Sequence, residues 1–350
     1  MAKQLGLLEG GPPPPPEVAT PREAKPAPAK PVLEVLPTLK PWQDICAGAV
    51  LGAAIGDAMG HPTEFVQSVA QIRSKYGPEG VTKFELYWDR EGKHFAPYTD
   101  DTQMAECVLR ALLEAGTSDL DGAMQLMAKK FVDWAVEPQG GHRAPGNACL
   151  AGCEALSRGE HWSSAGKPDA GGCGSVMRAY PFGLVFAQDV RRAEEWAVHH
   201  SKLTHRDPIA LAACAAMAVG VALLARGEPV RRATGEMVGA ACRYSAKTAC
   251  MMAAAIDDAR TDVGPEVTLD RLRAWAAHEA ISAAVYILER HPDDARAAIL
   301  EGANTPGDSD SIATLAGALV GARVGARALP VDWVRDVERA DELMALALEL

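Results

Sequence analysis

The sequence has few of the features that mark secreted, membrane-spanning or β-rich proteins. Its eight cysteines form no Cys-x-x-Cys pair, which argues against a zinc module of that type. The first ten residues, MAKQLGLLEG, lack the apolar core of a signal peptide, and we expect no apolar run long enough to span a bilayer. Aromatic residues make up 5% of the chain, and only VTKFELYW (81–88) has a strand-like pattern. We therefore expect a cytoplasmic, mostly helical protein with reduced thiols.

Basic residues are also in the minority. The chain has 35 lysines and arginines against 46 aspartates and glutamates, which gives a net charge of −11. A surface of this sign repels the phosphates of nucleic acids and the headgroups of anionic membranes. Neither nucleic acid nor a membrane is therefore expected as a partner. We also expect the protein to be a monomer.

Proline is unevenly distributed along the chain. Of the 24 prolines, 11 fall within residues 1–41, including the run Pro12 to Pro16. This stretch has too few large apolar residues to offset the entropy of ordering it. We predict a disordered, partly polyproline-II tail over residues 1–40, although a proline-rich ligand for a partner domain is an alternative. Residues 41–350 are then predicted to form one domain.

Alanine- and glycine-rich runs with helical periodicity fill most of the remaining sequence. Two of these runs, 44–60 and 311–330, carry a glycine at every fourth position: Gly48, Gly52, Gly56 and Gly60, then Gly317, Gly321 and Gly325. Each glycine costs ~1 kcal/mol of helix propensity, so the stripes predict two helices that pack closely at the domain centre. Further helices are predicted at about 121–137, 146–157, 175–187, 190–201, 208–226, 229–244, 246–259, 268–290 and 331–349. The expected fold class is all-α, with many helices around one core.

Two clusters of aspartates and hydroxyl residues stand where predicted helices begin. Thr99-Asp100-Asp101-Thr102 opens one helix, and Asp308-Ser309-Asp310-Ser311 opens the second glycine-striped helix. Each cluster taken alone is explained by a capped, acidic first turn. If the two helix starts meet, their four carboxylates repel, by ~4 kcal/mol for a pair 4 Å apart at an effective dielectric constant of about 20. Two Mg²⁺ or Mn²⁺ ions would then balance the four negative charges.

A glutamate and an asparagine lie in loops near these segments. Glu64 follows the first glycine-striped helix and is either a solvated loop residue or a fifth carboxylate that faces the metals. Asn147 stands in the loop GHRAPGNACLAG (141–152), where it either caps the following helix or lines the same cleft.

A glycine-rich loop and a histidine are candidates for nucleotide binding. DAGGCGSVMRAYPFGL (169–184) has glycines before a helix predicted from Ser175, which is typical either of a flexible turn or of an anion-binding loop. Arg178, one turn further on, could pair with phosphate or with an acidic neighbour. His205, beside the predicted cap Asp207, is either a capping or surface residue, or one that contacts a ribose or base.

Taken together in this order, the motifs resemble those of the ADP-ribosylglycohydrolase family. The matching stretches are GAVLGAAIGDAMGHPTEF (48–65), YTDDTQMA (98–105), RAPGNACLAG (143–152), GGCGSVMRAYPFGLVF (171–186), LTHRDPIALAA (203–213) and GDSDSIATLAGALVGA (307–322). They cover nearly the whole predicted domain. The paired TDDT and GDSDS motifs are the most specific part of the resemblance.

The resemblance implies an orthogonal multi-helix bundle with a dinuclear Mg²⁺ or Mn²⁺ centre. It assigns metal contacts to Thr99, Asp100, Asp101, Asp308, Asp310 and Ser311. Glu64 matches a mobile glutamate near the metals and, with Asp310, is the catalytic candidate. The substrate-binding candidates are Gly172, Cys173, Gly174, Ser175, Met177 and His205, together with Asn147.

The activity implied by the resemblance is removal of ADP-ribose from a modified acceptor, by attack of water on C1″ of the ribose. An arginine on a protein is the favoured acceptor, and a small conjugate is also permitted. Two other classes remain open, namely a non-catalytic ADP-ribose-binding or structural protein and a two-metal phosphoesterase that acts on another nucleotide.

The sequence departs from the family pattern in three segments. Ser311 stands where threonine is more common, which keeps a hydroxyl. Ala148 and Cys149 stand where threonines are frequent, and Arg143 begins a stretch where some members carry an aspartate. These departures concern the acceptor side of the pocket more than the metal side.

Overall fold

The computed structural model describes residues 30–90 and 92–350, and these residues are mostly helical. The helices in chain order are α1 (Val32–Val35), α2 (Pro41–Gly60), α3 (Val69–Tyr76), α4 (Asp100–Ala115), α5 (Leu120–Val136), α6 (Asn147–Ser157), α7 (Trp162–Ala165), α8 (Tyr180–Val185), α9 (Val190–Ser201), α10 (Pro208–Ala225), α11 (Val230–Cys242), α12 (Ala246–Arg260), α13 (Pro265–Leu272), α14 (Ala277–Arg290), α15 (Ala295–Ala303), α16 (Ser309–Val324), α17 (Val331–Asp336) and α18 (Ala340–Leu348). Short 3-10 turns occupy Leu36–Thr38, His61–Thr63, Cys173–Ser175 and Ala326–Ala328. The strands β1 (Trp88–Arg90) and β2 (Lys93–Phe95) form one antiparallel hairpin. The all-α prediction is confirmed.

The two glycine-striped helices, α2 and α16, pack antiparallel at the centre of the domain. A Cβ atom added to Gly52 would overlap the carbonyl oxygen of Gly317, and one added to Gly317 would overlap that of Gly52. A Cβ atom added to Gly60 would lie 2.6 Å from the Cα atom of Asp310. The backbones therefore touch along the whole crossing, as the glycine pattern predicts. The end of α2 consequently lies against the beginning of α16.

Helix α10 is a second buried element, and it contradicts the expectation that no apolar run is long enough to span a bilayer. Its 18 residues, Pro208–Ala225, have a mean hydropathy of 2.3, so a run long and apolar enough to span a bilayer does occur. In the structure 78% of this helix is buried within the domain, where α8, α9, α11, α14 and α16 pack around it. Its apolar surface is therefore covered by protein.

Three predicted helices are interrupted by loops. The predicted helix 175–187 is a 3-10 turn followed by α8, which restarts beside Pro181. The predicted helix 268–290 is split into α13 and α14, because the carbonyl group of Arg273 accepts a hydrogen bond from the amide group of Asp308. The predicted helix 331–349 is split into α17 and α18, because the amide group of Glu338 donates instead to the carbonyl group of Ala96 at 2.9 Å.

The predicted strand at 81–88 is wrong apart from its last residue. Both backbone groups of Val81 bind the side chain of Asn304. The amide group of Val81 donates to the Oδ1 atom of Asn304 at 2.7 Å, and the carbonyl group of Val81 accepts from the Nδ2 atom at 2.9 Å. These bonds fix the segment as a loop, and pairing between strands begins only at Trp88.

The proline-rich tail ends earlier in the structure than the predicted boundary at residue 40. Residues 1–29, the greater part of the predicted disordered tail, lie outside the described residues. Residues 32–38 are helical, and the amide group of Val32 donates to the side chain of Asp341 at 2.6 Å. This contact ties the start of the described chain to α18.

Candidate functional site

The first turn of α4 is held by an aspartate on α2. The carboxylate of Asp57 accepts hydrogen bonds from the amide groups of Thr99 and Thr102, at 2.9 and 3.0 Å, and from the hydroxyl group of Thr102 at 2.6 Å. Thr99 caps the helix, with its side chain accepting from the amide group of Asp101 at 3.4 Å. The start of α4 is therefore attached to the last turn of α2.

The first turn of α16 lies against the same end of α2. The hydroxyl group of Ser309 donates to the carbonyl oxygen of Gly60 at 2.9 Å, and Ser309 is fully buried. Because one helix end carries both contacts, the starts of α4 and α16 meet. The Asp-rich clusters, far apart in sequence, therefore lie together in the fold.

The converging side chains form an acidic cluster. Its members are Thr99, Asp100, Asp101, Asp308, Asp310 and Ser311, and all of them are buried. Burial, and then the negative charges of neighbouring aspartates, raises the pKa of Asp100, Asp101 and Asp310 well above the usual value. Among the described residues, no lysine, arginine or histidine nitrogen forms an ion pair within 4.0 Å of an aspartate of this cluster, and a ring nitrogen of His61 lies within 4.8 Å of a carboxylate oxygen of Asp310. The protein therefore supplies almost no positive charge that would stabilise these carboxylates in their ionised form.

The donor atoms of the acidic cluster fit hard divalent cations. Its carboxylate and hydroxyl oxygens are the ligand types that Mg²⁺ and Mn²⁺ prefer. The Oδ1 atom of Asp101 is buried and has no hydrogen-bond partner, whereas buried polar atoms are nearly always paired. An oxygen without a donor, among repelling carboxylates, is the arrangement that a bound cation would satisfy.

Glu64 faces this cluster from the loop after α2. Ligand atoms of His61, Glu64 and Asp310 all lie within 4.8 Å of one another. The Nδ1 atom of His61 lies 3.5 Å from a carboxylate oxygen of Glu64, and this contact raises the pKa of His61. The solvated-loop interpretation of Glu64 is therefore wrong, because the carboxylate points at Asp310. No pattern in the sequence indicates His61 as a member of this group.

The glycine-rich loop borders the acidic cluster through Cys173. Its thiol donates to a carboxylate oxygen of Asp308 and lies 3.4 Å from the hydroxyl group of Ser311. Residues Cys173–Ser175 form a single 3-10 turn, so the predicted helix start at Ser175 is replaced by a tighter turn. A turn of this kind satisfies few of its own amide groups, which leaves backbone donors beside the cluster for an anion.

The remaining substrate-binding candidates differ in burial. Ser175 and Met177 are buried, and the hydroxyl group of Ser175 accepts from Ser201 at 2.9 Å, so its side chain points into the core. Asn147 is exposed at the first position of α6 and makes no capping bond. Cys149, two residues later, lies 3.7 Å from the carbonyl oxygen of Gly174, which places the start of α6 beside the loop.

His205 is buried against the glycine-rich loop. Its Nδ1 atom lies 2.7 Å from the hydroxyl oxygen of Thr204, while its Nε2 atom is 3.4 Å from the position of a Cβ atom added to Gly174. Burial, and then the charge of Arg178, lowers the pKa of His205 to about 3. The ring is therefore neutral at physiological pH, and its role in a site would be that of a hydrogen-bond partner.

We expect the variant His205→Asn to show less loss of stability in acid than the wild type. Below the unfolded-state pKa of about 6.5, the unfolded chain binds a proton that folded His205 binds only near pH 3. Stability is therefore lost as the pH falls, by ~2 kcal/mol between pH 6.5 and 5 for this group. Urea unfolding at pH 7.5 and pH 5 measures the difference.

The control for this prediction is His94→Asn, which changes an exposed histidine of the hairpin. It is expected to retain the wild-type difference between the two pH values. Equal pH dependence in the wild type and in His205→Asn would contradict the prediction.

Several residues around the site were not identified from the sequence. Arg143 is buried, forms a bidentate ion pair with Glu338 and donates to the carbonyl oxygen of Tyr98, so it braces the segment that leads into α4. Phe65 and Trp275 are exposed and stacked, with ring centroids 5.2 Å apart. Phe65 directly follows Glu64, and Trp275 lies in the loop between α13 and α14. Both lie beside Gly307, the residue before Asp308, because the amide group of Phe65 donates to the carbonyl oxygen of Gly307 and a Cβ atom added to Gly307 would lie 3.2 Å from the Nε1 atom of Trp275.

Comparison with known proteins agrees with this arrangement. A sequence profile of the family ADP-ribosylglycohydrolase matches residues 39–350. The ADP-ribosyl-[dinitrogen reductase] glycohydrolase of Rhodospirillum rubrum is 26% identical over 87% of this chain and 97% of its own length. The ADP-ribosylarginine hydrolase Tri1 of Pseudomonas putida is 27% identical over 89% of this chain and 80% of its own.

A solved structure described as an ADP-ribosylglycohydrolase-related protein complex has the same fold. It superposes with a TM-score of 0.62 at 23% identity, over 89% of this chain and 98% of the other. The profile match spans almost all of the described residues, including both Asp-rich helix starts and the glycine-rich loop. This chain therefore belongs to the ADP-ribosylglycohydrolase family and is a hydrolase of ADP-ribosyl glycosidic bonds.

Proposed function

We propose that this protein removes ADP-ribose from arginine side chains of modified proteins, with two Mg²⁺ or Mn²⁺ ions in the acidic cluster. The observation that carries the proposal is the meeting of two Asp-rich helix starts beside the glycine-rich loop. Arginine is the favoured acceptor because the similar protein of Pseudomonas putida is named an ADP-ribosylarginine hydrolase.

The ions would be held by Thr99, Asp100, Asp101, Asp308, Asp310 and Ser311, the oxygen-bearing residues of the cluster. Divalent ions in such a site supply Lewis-acid polarisation of ribose hydroxyl groups and of a water molecule. The four aspartates would then ionise without mutual repulsion, because each carboxylate would face a cation.

The protein's own groups would orient the substrate. Backbone amide groups of the glycine-rich loop would donate to the diphosphate. The Nε2–H group of neutral His205, directed at this loop, would donate to a nearby substrate oxygen. Glu64 lies within reach of Asp310 and is placed to accept a proton from the attacking water.

The proposed reaction is balanced as a hydrolysis. The bond between C1″ of the ribose and the guanidine nitrogen breaks, and the water oxygen bonds to C1″. One proton of the water passes to the departing guanidine, so the products are ADP-ribose and unmodified arginine. The diphosphate bond remains intact.

Incubation with an ADP-ribosyl-arginine protein is expected to release intact ADP-ribose, detectable by chromatography. Treatment with EDTA should lower the rate by at least ~100-fold, and excess Mg²⁺ or Mn²⁺ should restore it. Circular dichroism before and after EDTA controls for unfolding. Serine-linked and base-linked ADP-ribose provide the comparison substrates.

Each alternative outcome has a separate meaning. Full activity in EDTA would refute the metal requirement. Release from serine or a base but not from arginine would refute the acceptor. Formation of AMP rather than ADP-ribose would identify a phosphoesterase.

A further inference from the structure

Arg178 is a fully buried arginine that has no acidic partner. It is among the largest side chains with no solvent exposure. Within the described residues, no carboxylate oxygen lies within 4.0 Å of its guanidinium group. Buried charges are normally paired, because removing a charge from water is costly. The guanidinium group lies over the ring of Phe131, 4.5 Å from its centroid, which accommodates the cation in part but supplies no compensating negative charge.

One hydrogen bond of Arg178 leads to the sulfur atom of Met104 on α4, at 3.1 Å, and the others lead toward the glycine-rich loop and His205. Its Nη1 atom donates to the carbonyl oxygen of Gly174 and lies 3.4 Å from the Sγ atom of Cys149. Its Nη2 atom donates to the hydroxyl group of Thr204 at 2.6 Å. We assign the proton of that hydroxyl group to a bond with the Nδ1 atom of His205, 2.7 Å away. In this assignment His205 carries its own proton on Nε2, the atom that faces the glycine-rich loop.

The charge of Arg178 affects the pKa values of two residues that contact the glycine-rich loop, His205 and Cys149. Burial is the main cause of the low pKa of His205, and the guanidinium charge lowers it further. The thiol of Cys149 has a pKa raised to about 11, chiefly by burial, and it senses both Arg178 and Asp100. Arg178 therefore lies close enough to the glycine-rich loop to influence an anion bound there.

We propose that Arg178 is a positioning residue that acts as the fixed counter-charge of the substrate's diphosphate. It does so from behind the glycine-rich loop, without touching the substrate, and it holds Gly174 and His205 in the geometry that receives the diphosphate. The proposal rests on the proposed function, in which this loop binds ADP-ribose. It replaces both sequence-based interpretations of Arg178, a direct phosphate contact and an ion pair with an acidic neighbour.

The proposal predicts opposite effects on two ligands. A positive charge behind the loop attracts the diphosphate and repels divalent cations in the acidic cluster. Loss of the charge should therefore weaken binding of ADP-ribose and leave binding of Mn²⁺ unchanged or tighter. General structural damage would instead weaken both.

The test compares Arg178→Lys with Arg178→Gln, since both lose the guanidinium fork but only the first keeps the charge. Isothermal titration calorimetry measures ADP-ribose at saturating Mg²⁺, and Mn²⁺ alone in the absence of nucleotide. The Gln variant is expected to have a Kd for ADP-ribose at least ~10-fold above that of the Lys variant. The control is Arg260→Gln, which removes an arginine that pairs with Glu289 at 2.7 Å.

Two results would overturn the proposal. One is an equal Kd for ADP-ribose in the Lys and Gln variants, and the other is a matching loss of affinity for Mn²⁺ and ADP-ribose in the Gln variant. If the variants do not fold, nitrogen NMR of the wild type decides, because a proton on Nδ1 of His205 would contradict the assigned hydrogen bonds. Failure of the wild type to bind ADP-ribose would instead refute the proposed function.

Discussion

Asp310→Ala is expected to lower kcat/KM for release of ADP-ribose by at least ~1,000-fold. Asp310 is buried at the start of α16, faces Glu64, and is one of four aspartates that would hold the ions. Its removal leaves the remaining carboxylates with too little charge to retain two divalent cations. Steady-state kinetics at saturating Mn²⁺ measures the effect.

The same substitution should not destabilise the metal-free protein. Burial and neighbouring aspartates raise the pKa of Asp310, so its ionised form is unfavourable in the fold at neutral pH. Loss of this carboxylate relieves repulsion, and thermal unfolding in EDTA should occur at an equal or higher temperature. Asp332→Ala, which changes an exposed aspartate on α17, is the matched control and should leave activity unchanged.

A variant that loses activity together with several degrees of thermal stability in EDTA would point to a structural role for Asp310. Retention of more than about a tenth of the wild-type kcat/KM would show that this carboxylate is dispensable for catalysis. Either result would contradict the proposed role of Asp310.

Gly52→Ala is expected to lower the free energy of unfolding by about 3 kcal/mol or more. The added methyl group would overlap the carbonyl oxygen of Gly317, and backbone atoms cannot rotate away as a side chain can. The helices α2 and α16 would have to separate at the centre of the domain. Denaturant unfolding monitored by circular dichroism measures the loss.

The chain contains a suitable control for this prediction. Gly235 lies in the interior of α11, and a Cβ atom added there meets nothing within 4 Å. Gly235→Ala is expected to stabilise the protein by ~0.5–1 kcal/mol, because alanine has the higher helix propensity. A loss of less than 1 kcal/mol in Gly52→Ala would show that the crossing tolerates a wider spacing.

Local patterns were sufficient to predict the central helices and the paired Asp-rich helix starts. A glycine at every fourth residue has a direct structural meaning, since it permits backbone contact on one helix face. Two matching clusters at the starts of apolar helices likewise indicated groups that could converge. In both cases the relevant information lies within about twenty consecutive residues, as for 44–60 and 311–330.

Contacts between distant residues could not be predicted in this way. Asp57 is one polar residue in a small-residue helix, and its role as the cap of α4 depends on Thr99, 42 residues later. Arg143 pairs with Glu338, 195 residues away, and neither has a local pattern that indicates the other. The break between α13 and α14 depends on a backbone bond from Asp308, which no helix-propensity argument contains.

The capping of α4 by Asp57 has a consequence for metal exchange. Asp57 binds the amide groups of Thr99 and Thr102, which flank Asp100 and Asp101, and α2 is fixed to α16 by direct backbone contact. The spacing of the proposed metal ligands is thereby set by a rigid scaffold, and no folding step would have to accompany the capture of an ion. Metal loading should then be reversible entry into a preorganised site, coupled to release of the protons that the raised pKa values favour on the aspartates.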